Sequence, residues 1–310
     1  MKNGPVVSIV IGTYKTKNLT LKTLASLFKN IGKNNYEIIV VDDGSRDGTF
    51  KSIRELYPQI KLLKNNRNLG YSKTYNKGTK ISKGRYVLHL NSDVLITKNF
   101  NINSLINFMD KNPRIGIAGC RVLKKNGKLD LPCRHQIPTL GNVFFQMLGL
   151  YKFFPFLKKF NYYMTYLKET ETTEVGGILG AFMLIKMDLI NQIGYLDERF
   201  FLYCEDTDYC YRAYKKGWKI YYYPKITVKH LHGASARRFR LKALVLFHKG
   251  IWYFYNKHYR KKHGKLINYL VYLAIFIRFF IFFSVEIITY LKSIFIDKNV
   301  QFSFDDEINA

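Results

Sequence analysis

The stretch YEIIVVDDGS at residues 36–45 decides the fold class of this sequence. Its first six residues are mostly apolar, as in a buried strand, and the polar DDGS that follows ends that strand. An earlier run, VVSIVI at residues 6–11, has the same character and is followed by Gly12-Thr13-Tyr14. Between these runs, apolar residues at helical spacing predict a helix over residues 19–31. A strand, a helix and a strand in this order predict a βαβ unit with parallel strands.

The alternation of strands and helices continues along the chain. Helices are predicted over 49–56, 69–81 and 205–216, and strands over 60–63, 86–90, 115–119, 176–187, 219–223 and 226–229. This order predicts an α/β fold whose Rossmann-like mixed sheet is mainly parallel and covered by helices on both faces. Residues 121–131 predict a polar hairpin. Residues 131–174 have no clean periodicity, and we interpret them as a mobile insert that faces substrate.

Composition and charge limit the classes of protein. The chain has 310 residues, of which 47% are hydrophobic and 16% aromatic, so intrinsic disorder is excluded. Its 50 Lys and Arg against 22 Asp and Glu give a net charge of +28. Such a charge indicates a polyanionic partner: nucleic acid, an anionic membrane surface or a phosphorylated substrate. The alternative is a lysine-rich proteome with solvated faces.

The four cysteines and the N-terminus indicate a compartment. No two cysteines form a C-x-x-C pair, and no secretory signal precedes the first strand. We therefore expect no zinc or thioredoxin-type site, and we expect reduced thiols in a cytoplasmic protein.

The C-terminal segment differs from the rest. Residues 266–296 are almost wholly apolar, and at about 100° per residue their polar members fall in one arc: Asn268, Arg278, Glu286, Thr289, Lys292 and Ser293. An arginine at the middle of a bilayer would cost about 3 kcal/mol, so we expect an interfacial or packed amphipathic helix rather than a spanning one. Basic runs at 237–240 and 257–263 suit an anionic cytoplasmic leaflet. A dimerisation helix pair is the alternative.

Polar residues that follow the predicted strands are the candidates for chemistry, because ligands of open α/β sheets bind at the carboxyl ends of strands. The sequence contains neither G-x-G-x-x-G nor a P-loop, which disfavours nicotinamide and P-loop nucleotide sites. Asp42-Asp43-Gly44-Ser45 could bind a ribose or base near phosphate, or could simply form a turn and helix cap. Asn91-Ser92-Asp93 could hold Mg²⁺ or Mn²⁺ on a diphosphate, or could cap a turn.

Two later groups complete the set of candidates. In Glu205-Asp206-Thr207-Asp208, one carboxylate could act as general base toward a hydroxyl, whereas the alternative is helix capping. His230, with His232 close by, could ligate the same metal ion or could be structural.

Taken together and in this order, these motifs resemble the inverting family 2 glycosyltransferases of the GT-A fold, and within them the rhamnosyltransferase-like branch. The resemblance extends from Val6 to Ser235. It is carried by these stretches: VSIVIGTY (7–14), VVDDGS (40–45), NLG (68–70), NSD (91–93), GAF (180–182), DERFF (197–201), Glu205-Asp206 and His230.

The resemblance implies roles for individual residues. Asp206 would be the general base, and Asp93 and His230 would bind Mg²⁺ or Mn²⁺ on the donor diphosphate. The residues expected to bind the nucleotide sugar are Thr13, Tyr14, Asp42, Asp43, Asn68, Gly70, Asn91, Ser92, Asp93, Gly180, Ala181 and Glu205. The usual D-x-D motif is here Asn91-Ser92-Asp93, which removes one carboxylate from the metal site.

The implied function is the inverting transfer of a sugar, with L-rhamnose from dTDP-rhamnose favoured, to a hydroxyl of a glycan or polyprenyl-diphosphate-linked acceptor. The alternatives are a UDP-hexose-dependent transferase of the same fold, and a non-catalytic nucleic-acid-binding or scaffold protein. We do not expect nucleic acid as a partner, because no recognition helix or RNA-binding motif is present. Residues 1–235 would form the transferase domain with an acceptor-facing insert at 131–174. Residues 236–310 would form a basic helical region that lies on the inner membrane surface or forms a homodimer.

Overall fold

A computed structural model describes residues 4–32, 35–98, 100–154, 156–231 and 240–296, with side chains described as far as residue 289. The chain forms two compact units. Among the described residues, the first unit holds those up to 199 and 205–231, and the second holds 200–204 and those from 240 onward.

The first unit is built on one mixed sheet of nine strands among the described residues. The strands are β1 Val7–Thr13, β2 Tyr36–Asp42, β3 Lys61–Lys64, β4 Tyr86–Asn91, β5 Val94–Ile96, β6 Ile115–Lys124, β7 Thr173–Glu174, β8 Phe182–Lys186 and β9 Lys219–His230. Their order is β3-β2-β1-β4-β8-β6-β9-β5, and β7 pairs with β9. The first four strands of this order run parallel, as do β6 and β9, whereas β8 is antiparallel to both of its neighbours.

Seven α-helices accompany this sheet in the described part of the unit. They are α1 Lys17–Asn30, α2 Thr49–Leu56, α3 Tyr71–Lys80, α4 Ile102–Lys111, α5 Leu140–Met147, α6 Met187–Ile193 and α7 Glu205–Lys215. Residues Val7–Ile11 of β1 are all buried, which fits a central parallel strand that is covered on both faces. The predicted α/β architecture with a mixed sheet is therefore confirmed, although only four of the eight strand pairings among the described residues are parallel.

The register of the central strands brings their carboxyl ends together. Thr13 pairs with Asp42 across β1 and β2, and Gly12 pairs with Asn91 across β1 and β4. The polar residues that end these three strands therefore lie side by side at one edge of the sheet, where ligands of such folds bind.

Several elements differ from the sequence prediction. The two strands expected over 219–223 and 226–229 form one continuous strand, β9. Its pairing with β6 does not end after Tyr223 but resumes at Thr227 after a register shift of three residues. Of the strand expected over 176–187, only Phe182–Lys186 is a strand, and Met187 begins a helix. The insert over 131–174 contains α5 and short 3-10 helices at Leu131–Cys133, Leu150–Lys152 and Lys158–Phe160, although its sequence showed no period.

The second unit contains two helices, α8 Arg240–His258 and α9 Lys265–Ile296. Four polar contacts join them in antiparallel order: Tyr255 to Asn268, Asn256 to Tyr272, His248 to Arg278, and Arg240 to Glu286. The arc of polar residues predicted for α9 thus faces α8 at Asn268, Arg278 and Glu286. The side chains of Lys292 and Ser293, and residues 237–239 of a basic run, lie outside the described residues.

The other side of α9 is exposed and apolar. Among its exposed side chains are Leu266, Tyr269, Leu270, Phe276, Ile277, Phe280, Ile281, Val285 and Ile288. Within the described residues, the part over Lys265–Thr289 is one helix that is long and apolar enough to cross a membrane, by length and composition only.

Candidate active site

The carboxylate that ends β2 is buried, and only one of its two oxygens accepts a hydrogen bond from the part of the chain that the structure describes. Asp42 is fully buried, and its Oδ1 accepts a hydrogen bond from the Ser45 backbone N–H at 3.1 Å. Its Oδ2 is buried and has no hydrogen-bond partner among the described residues. Burial raises the pKa of Asp42, against the hydrogen bonds from Ser45 that lower it. A ribose hydroxyl or a base N–H is the kind of donor that this oxygen lacks.

The neighbouring carboxylate shapes a loop. Oδ1 of Asp43 accepts hydrogen bonds at 2.8 Å from Asn65 Nδ2 and the Leu69 N–H. Its Oδ2 accepts from the Gly70 N–H at 3.0 Å, and Oδ1 of Asn68 accepts from the same N–H at 3.1 Å. Gly70 has a positive φ of 87° at the N-cap of α3, a conformation that favours glycine. Asp43, Asn68 and Gly70 therefore hold the turn that leads into α3, and their contact with a donor stays a prediction.

The end of β1 combines a buried hydroxyl with an accessible ring. Oγ1 of Thr13 lies 2.9 Å from that of Thr16 and 2.7 Å from that of Thr20, in a buried cluster. Tyr14 is half-exposed, with Lys15 Nζ 5.4 Å from its ring centroid. Of these first two candidates, Tyr14 is therefore the one accessible to a nucleotide.

The residues that end β4 are fixed by α3 and α1. The Tyr75 hydroxyl donates to Asn91 Oδ1 at 3.1 Å. Ser92 Oγ lies 3.2 Å from Thr16 Oγ1, and the Ser92 carbonyl accepts from Thr23 Oγ1 at 2.8 Å. The Tyr75 hydroxyl also lies 2.9 Å from the Leu90 carbonyl, so α3 contacts both the backbone and the Asn91 side chain at this strand end.

A histidine between two carboxylates lies next to this strand end. His230 Nε2 is 3.1 Å from Asp93 Oδ1, and Nδ1 is 3.5 Å from Asp130 Oδ2. Burial alone would lower the pKa of His230, but Asp130 and Asp93 raise it to about 9. His232, the second histidine of the sequence motif, lies outside the described residues.

Asp93 and His230 fit a divalent cation that is also bound by a substrate diphosphate. No group of three His, Cys, Asp or Glu that could hold a metal ion occurs within the part of the chain that the structure describes. Mg²⁺, however, is commonly bound by one or two protein carboxylates together with substrate phosphates and water. One carboxylate oxygen and one imidazole nitrogen at 3.1 Å supply such a partial set. Asp130 then occupies the position of a carboxylate that orients a ligating histidine.

The first turn of α7 presents the candidate general base. Oδ2 of Asp206 accepts from the Gly180 backbone N–H at 2.9 Å, and Oδ1 accepts from the Thr207 N–H at 2.7 Å. The Gly180 carbonyl accepts from the Tyr71 hydroxyl at 2.9 Å, and a Cβ at Gly180 would come within 3.0 Å of that hydroxyl. Asp206 is half-buried, so its carboxylate is oriented by the backbone and remains accessible.

The adjacent acid has a different environment. Glu205 is buried, and its Oε2 has no hydrogen-bond partner among the described residues. Burial first, and the charge of Asp206 second, raise the pKa of Glu205 well above its ordinary value. Burial and the neighbouring charge therefore both disfavour the ionised form of Glu205.

Short contacts connect these groups at one edge of the sheet. Asp42 and Asn91 flank the end of β1. The Asn91 N–H donates to the Ala181 carbonyl at 3.0 Å, and the preceding residue, Gly180, binds Asp206. The structure therefore brings the candidate residues of the nucleotide, metal and base sites to adjoining positions.

Sequence reasoning missed four residues of this region: Tyr71, Tyr75, Asp130 and His135. The two tyrosines stack at a centroid distance of 4.0 Å and link α3 to Gly180 and Asn91. His135 is buried, stacks on Tyr162 and pairs through its backbone with Gly177, and burial lowers its pKa. None lies in a motif, although helical spacing of Tyr71 and Tyr75 placed both rings on one face of the predicted helix.

Comparisons with known proteins concern the family and the fold of the chain. The sequence profile of glycosyl transferase family 2 matches residues 8–194. The N-acetylglucosaminyl-diphospho-decaprenol L-rhamnosyltransferase of Mycobacterium tuberculosis is 29% identical over 266 residues, which cover 80% of this chain and 83% of that protein. The UDP-Glc:alpha-D-GlcNAc-diphosphoundecaprenol beta-1,3-glucosyltransferase WfaP of Escherichia coli is 37% identical over 108 residues, or 34% of this chain and 41% of that protein.

Two solved structures share the fold. The mannosyltransferase PcManGT from Pyrobaculum calidifontis, in complex with GDP-Man and Mn²⁺, aligns with a TM-score of 0.57 and 14% identity over 85% of this chain and 66% of that one. GalNAc-T7 with UDP, GalNAc and Mn²⁺ aligns with a TM-score of 0.55 and 17% identity over 76% of this chain and 45% of that one.

Proposed function

This chain belongs to glycosyl transferase family 2, and from that premise we propose that it transfers L-rhamnose from dTDP-rhamnose to a sugar hydroxyl of a polyprenyl-diphosphate-linked acceptor. The family membership and the GT-A fold confirm the resemblance seen in the sequence, and the chain is a glycosyltransferase. The donor, the acceptor and the role of each residue are the proposed part.

One observation supports the proposal above the others: three groups adjoin at a single edge of the sheet. They are the Asp42 carboxylate with one oxygen unpaired among the described residues, the Asp93–His230 pair and the oriented Asp206 carboxylate. Oδ2 of Asp42 would accept from the base or ribose of the donor. Asp93 and His230 would hold Mg²⁺ or Mn²⁺, which when bound neutralises charge that develops on the leaving diphosphate. Asp206 would face the acceptor hydroxyl.

The chemistry of this chain's own residues then follows. Asp206, which is oriented by the Gly180 N–H, takes the proton of the acceptor hydroxyl. At the same time the oxygen of that hydroxyl bonds to the anomeric carbon of the donor sugar. The bond from that carbon to the nucleoside diphosphate breaks in the same displacement, so the anomeric configuration inverts.

The choice of rhamnose rests on the mycobacterial relative, whose similarity covers 80% of this chain. A UDP-hexose donor is the second candidate, because the E. coli relative is named as a UDP-Glc-dependent enzyme. Both relatives are named for acceptors in which a sugar is linked through diphosphate to a polyprenol.

We further propose that the protein works at the cytoplasmic face of a membrane as a peripheral protein. The net charge of +28 and the exposed apolar side of α9 support a location on an anionic surface. Arg278 lies within the apolar helix and bonds His248 at 2.8 Å, which supports a packed or interfacial helix pair over a single spanning helix. Dimerisation through α8 and α9 is the alternative use of the same apolar surface.

A donor panel tests the proposed function. Thermal unfolding is measured with dTDP-rhamnose, UDP-glucose, UDP-N-acetylglucosamine and GDP-mannose, each with Mn²⁺, with Mg²⁺ and with EDTA. A ligand that binds the native state stabilises it by RT ln(1 + [L]/Kd). We expect dTDP-rhamnose with a cation to give the largest increase in melting temperature, followed by transfer of rhamnose to a polyprenyl-diphosphate-linked sugar with inversion. A response to a UDP-hexose alone would favour the second candidate, and no response to dTDP-rhamnose would contradict the proposed donor.

A further inference from the structure

Six large apolar side chains are exposed on the insert between residues 140 and 156. We name them the aromatic patch: Leu140, Phe144, Leu148, Phe153, Phe154 and Phe156. Phe153 is 75% exposed and Phe156 is 71% exposed, which is unusual for two phenylalanines so close in sequence. Contiguous exposed apolar surface of this kind marks an interaction site.

Helical spacing and ring contacts relate members of the aromatic patch to one another. Leu140, Phe144 and Leu148 are spaced by four residues at and just beyond α5, so they share one face of that helix. The ring of Phe145 lies 6.5 Å from those of Phe144 and Phe154, and Phe154 lies 6.1 Å from Phe156. Ring contacts through Phe145 thus connect Phe144, Phe154 and Phe156, and Phe153 is next to Phe154 in sequence.

The patch stands on a built framework. Thr139 and Asn142 form a reciprocal capping box at the start of α5. Phe145 stacks on Phe160 at a centroid distance of 4.6 Å, and Gly141 makes room for the Phe160 ring. The inner face of the insert is thus packed by Phe145 and Phe160, whereas the rings of the aromatic patch remain exposed.

The framework is tied to the base side of the active site. Gln136 Nε2 donates to the carbonyl of Lys158 at 2.5 Å, at the far side of the insert. The preceding residue, His135, pairs with Gly177 through N–H···O at 3.0 Å. Three residues after Gly177, the Gly180 N–H holds Asp206. The insert that carries the patch is therefore linked through these hydrogen bonds to the segment that holds Asp206.

The charge around the patch indicates what docks there. No acidic residue occurs between Asp130 and Glu169 in the sequence, whereas Lys152, Lys158 and Lys159 are exposed. Exposed phenylalanines and leucines flanked by lysines match a surface with an apolar interior and anionic headgroups. A second copy of the chain fits less well, because it would bring lysines against lysines.

We propose that the aromatic patch inserts into the headgroup region of an anionic membrane leaflet and so places Asp206 beside a lipid-anchored acceptor. This proposal rests on the proposed function, because a lipid-linked acceptor requires a membrane at the active site. It does not depend on which sugar is transferred. It concerns the first structural unit and needs no contribution from α9.

The test places an indole in the patch of the full-length chain. The sequence has two tryptophans, so Phe153→Trp is made together with Trp218→Phe and Trp252→Phe. Vesicles contain phosphatidylglycerol and phosphatidylcholine with brominated acyl chains. We expect a blue shift of the indole emission from position 153 and loss of most of its intensity to bromine quenching. The matched control, Tyr214→Trp in the same background, introduces an indole at a 55% exposed site on α7 and should keep its emission.

Three outcomes would overturn the proposal. The protein could float with the vesicles while the indole at position 153 stays unquenched, which would assign binding to another region. Quenching could be as strong in purely phosphatidylcholine vesicles, which would remove the anionic requirement. The blue shift could occur without lipid and grow with protein concentration, which would identify a second copy as the occupant.

A second measurement needs no substitution and covers the case in which the triple variant does not fold. Hydrogen exchange of the wild-type chain is followed by mass spectrometry with and without the same vesicles. Amides of residues 148–156 should exchange more slowly with vesicles, and amides of α2 should not change. Equal exchange over residues 148–156 in a vesicle-bound chain would contradict the proposal. No donor or acceptor is present, so failure here leaves the proposed transferase activity untouched, and failure of the donor panel leaves this result untouched.

Discussion

The backbone N–H of Gly180 donates to Oδ2 of Asp206 at 2.9 Å, across 26 positions of sequence. This bond orients the carboxylate without neutralising it, because the donor is a neutral amide. Its other oxygen, Oδ1, accepts from the Thr207 N–H at 2.7 Å. The first turn of α7 thus presents a carboxylate of fixed direction beside Gly180.

Asp206→Asn should lower the turnover number about 10²–10⁴-fold, the usual range for loss of a general base. The amide oxygen of asparagine can still accept from Gly180, whereas its NH2 group replaces the oxygen that accepts from the Thr207 N–H, so the melting temperature should fall slightly and nucleotide-sugar binding should stay close to that of the wild type. Steady-state transfer and donor thermal shift measure the two effects separately. Asp188→Asn, at an exposed carboxylate on α6, serves as the control and should keep full turnover. Full turnover of Asp206→Asn would refute its role as the base.

Asp42 and Asp43 are adjacent but should respond differently to the same substitution. Asp42→Asn replaces the carboxylate oxygen Oδ2, which has no partner among the described residues, with an NH2 group or a weaker accepting oxygen. The affinity for the nucleotide sugar should therefore fall about 10–100-fold, as for loss of a charged hydrogen bond. Asp43→Asn disturbs bonds to Asn65, Leu69 and Gly70 and should lower the free energy of unfolding by about 1–3 kcal/mol. Calorimetric titration with nucleotide and urea unfolding distinguish these effects. The reverse pattern would mean that Asp43 meets the nucleotide and Asp42 is structural.

Asp130→Asn should weaken metal binding although Asp130 is not expected to touch the metal. Its carboxylate lies 3.5 Å from His230 Nδ1, on the far side of the ring from Asp93. Loss of such an orienting group typically costs about 10–100-fold in metal affinity. Electron paramagnetic resonance titration of Mn²⁺ in the presence of nucleoside diphosphate measures this. Asp110→Asn, at a carboxylate bonded to Arg85 and Tyr86, is the control. An unchanged Mn²⁺ affinity in Asp130→Asn would leave His230 without its proposed orienting partner.

Without metal, the stability of the chain should depend on the protonation of His230. The folded chain holds the His230 proton up to a pKa of about 9, whereas its ordinary pKa is 6.5. The resulting stabilisation is fully present below pH 6.5 and is lost as the pH rises to about 9. Its size is on the order of 3 kcal/mol, from about 1.4 kcal/mol for each tenfold change in proton affinity.

Urea unfolding in EDTA at several pH values between 6 and 9 tests this dependence. The free energy of unfolding of wild type should fall over this range more steeply than that of His230→Gln. His258→Gln, a substitution on α8, should keep the wild-type slope. Equal slopes for wild type and His230→Gln would show that the histidine is not held protonated by Asp93 and Asp130.

The strand ends of the active site could be predicted because each is a change from apolar to polar residues. The runs at 6–11, 36–41 and 86–90 end at Gly12-Thr13, Asp42 and Asn91, and parallel strands bring their ends to one edge. The polar arc of α9 was equally visible, because helical geometry alone fixes which residues share a face. The residues of α8 that meet this arc required the tertiary structure.

Contacts between distant residues could not be predicted from the pattern. Asp130 meets His230 across 100 residues of sequence, because the Asp130 N–H pairs with Val122 and so returns the chain to β6 beside β9. Asp43, and not Asp42, binds the loop 65–70. The sequence does not show this, because it does not give the direction of each side chain at the strand end. The continuity of β9 was hidden by Pro224, which a bulge of three residues accommodates.

A crystal structure of the chain with Mn²⁺ and a thymidine diphosphate sugar would show whether Asp42, Asp93, His230 and Asp206 meet around one substrate. We expect the base or ribose within hydrogen-bond distance of Asp42 Oδ2, Mn²⁺ between Asp93 and His230, and the anomeric carbon on the side of Asp206. Nucleotide bound away from Asp42, or Mn²⁺ bound without Asp93 and His230, would contradict this expectation.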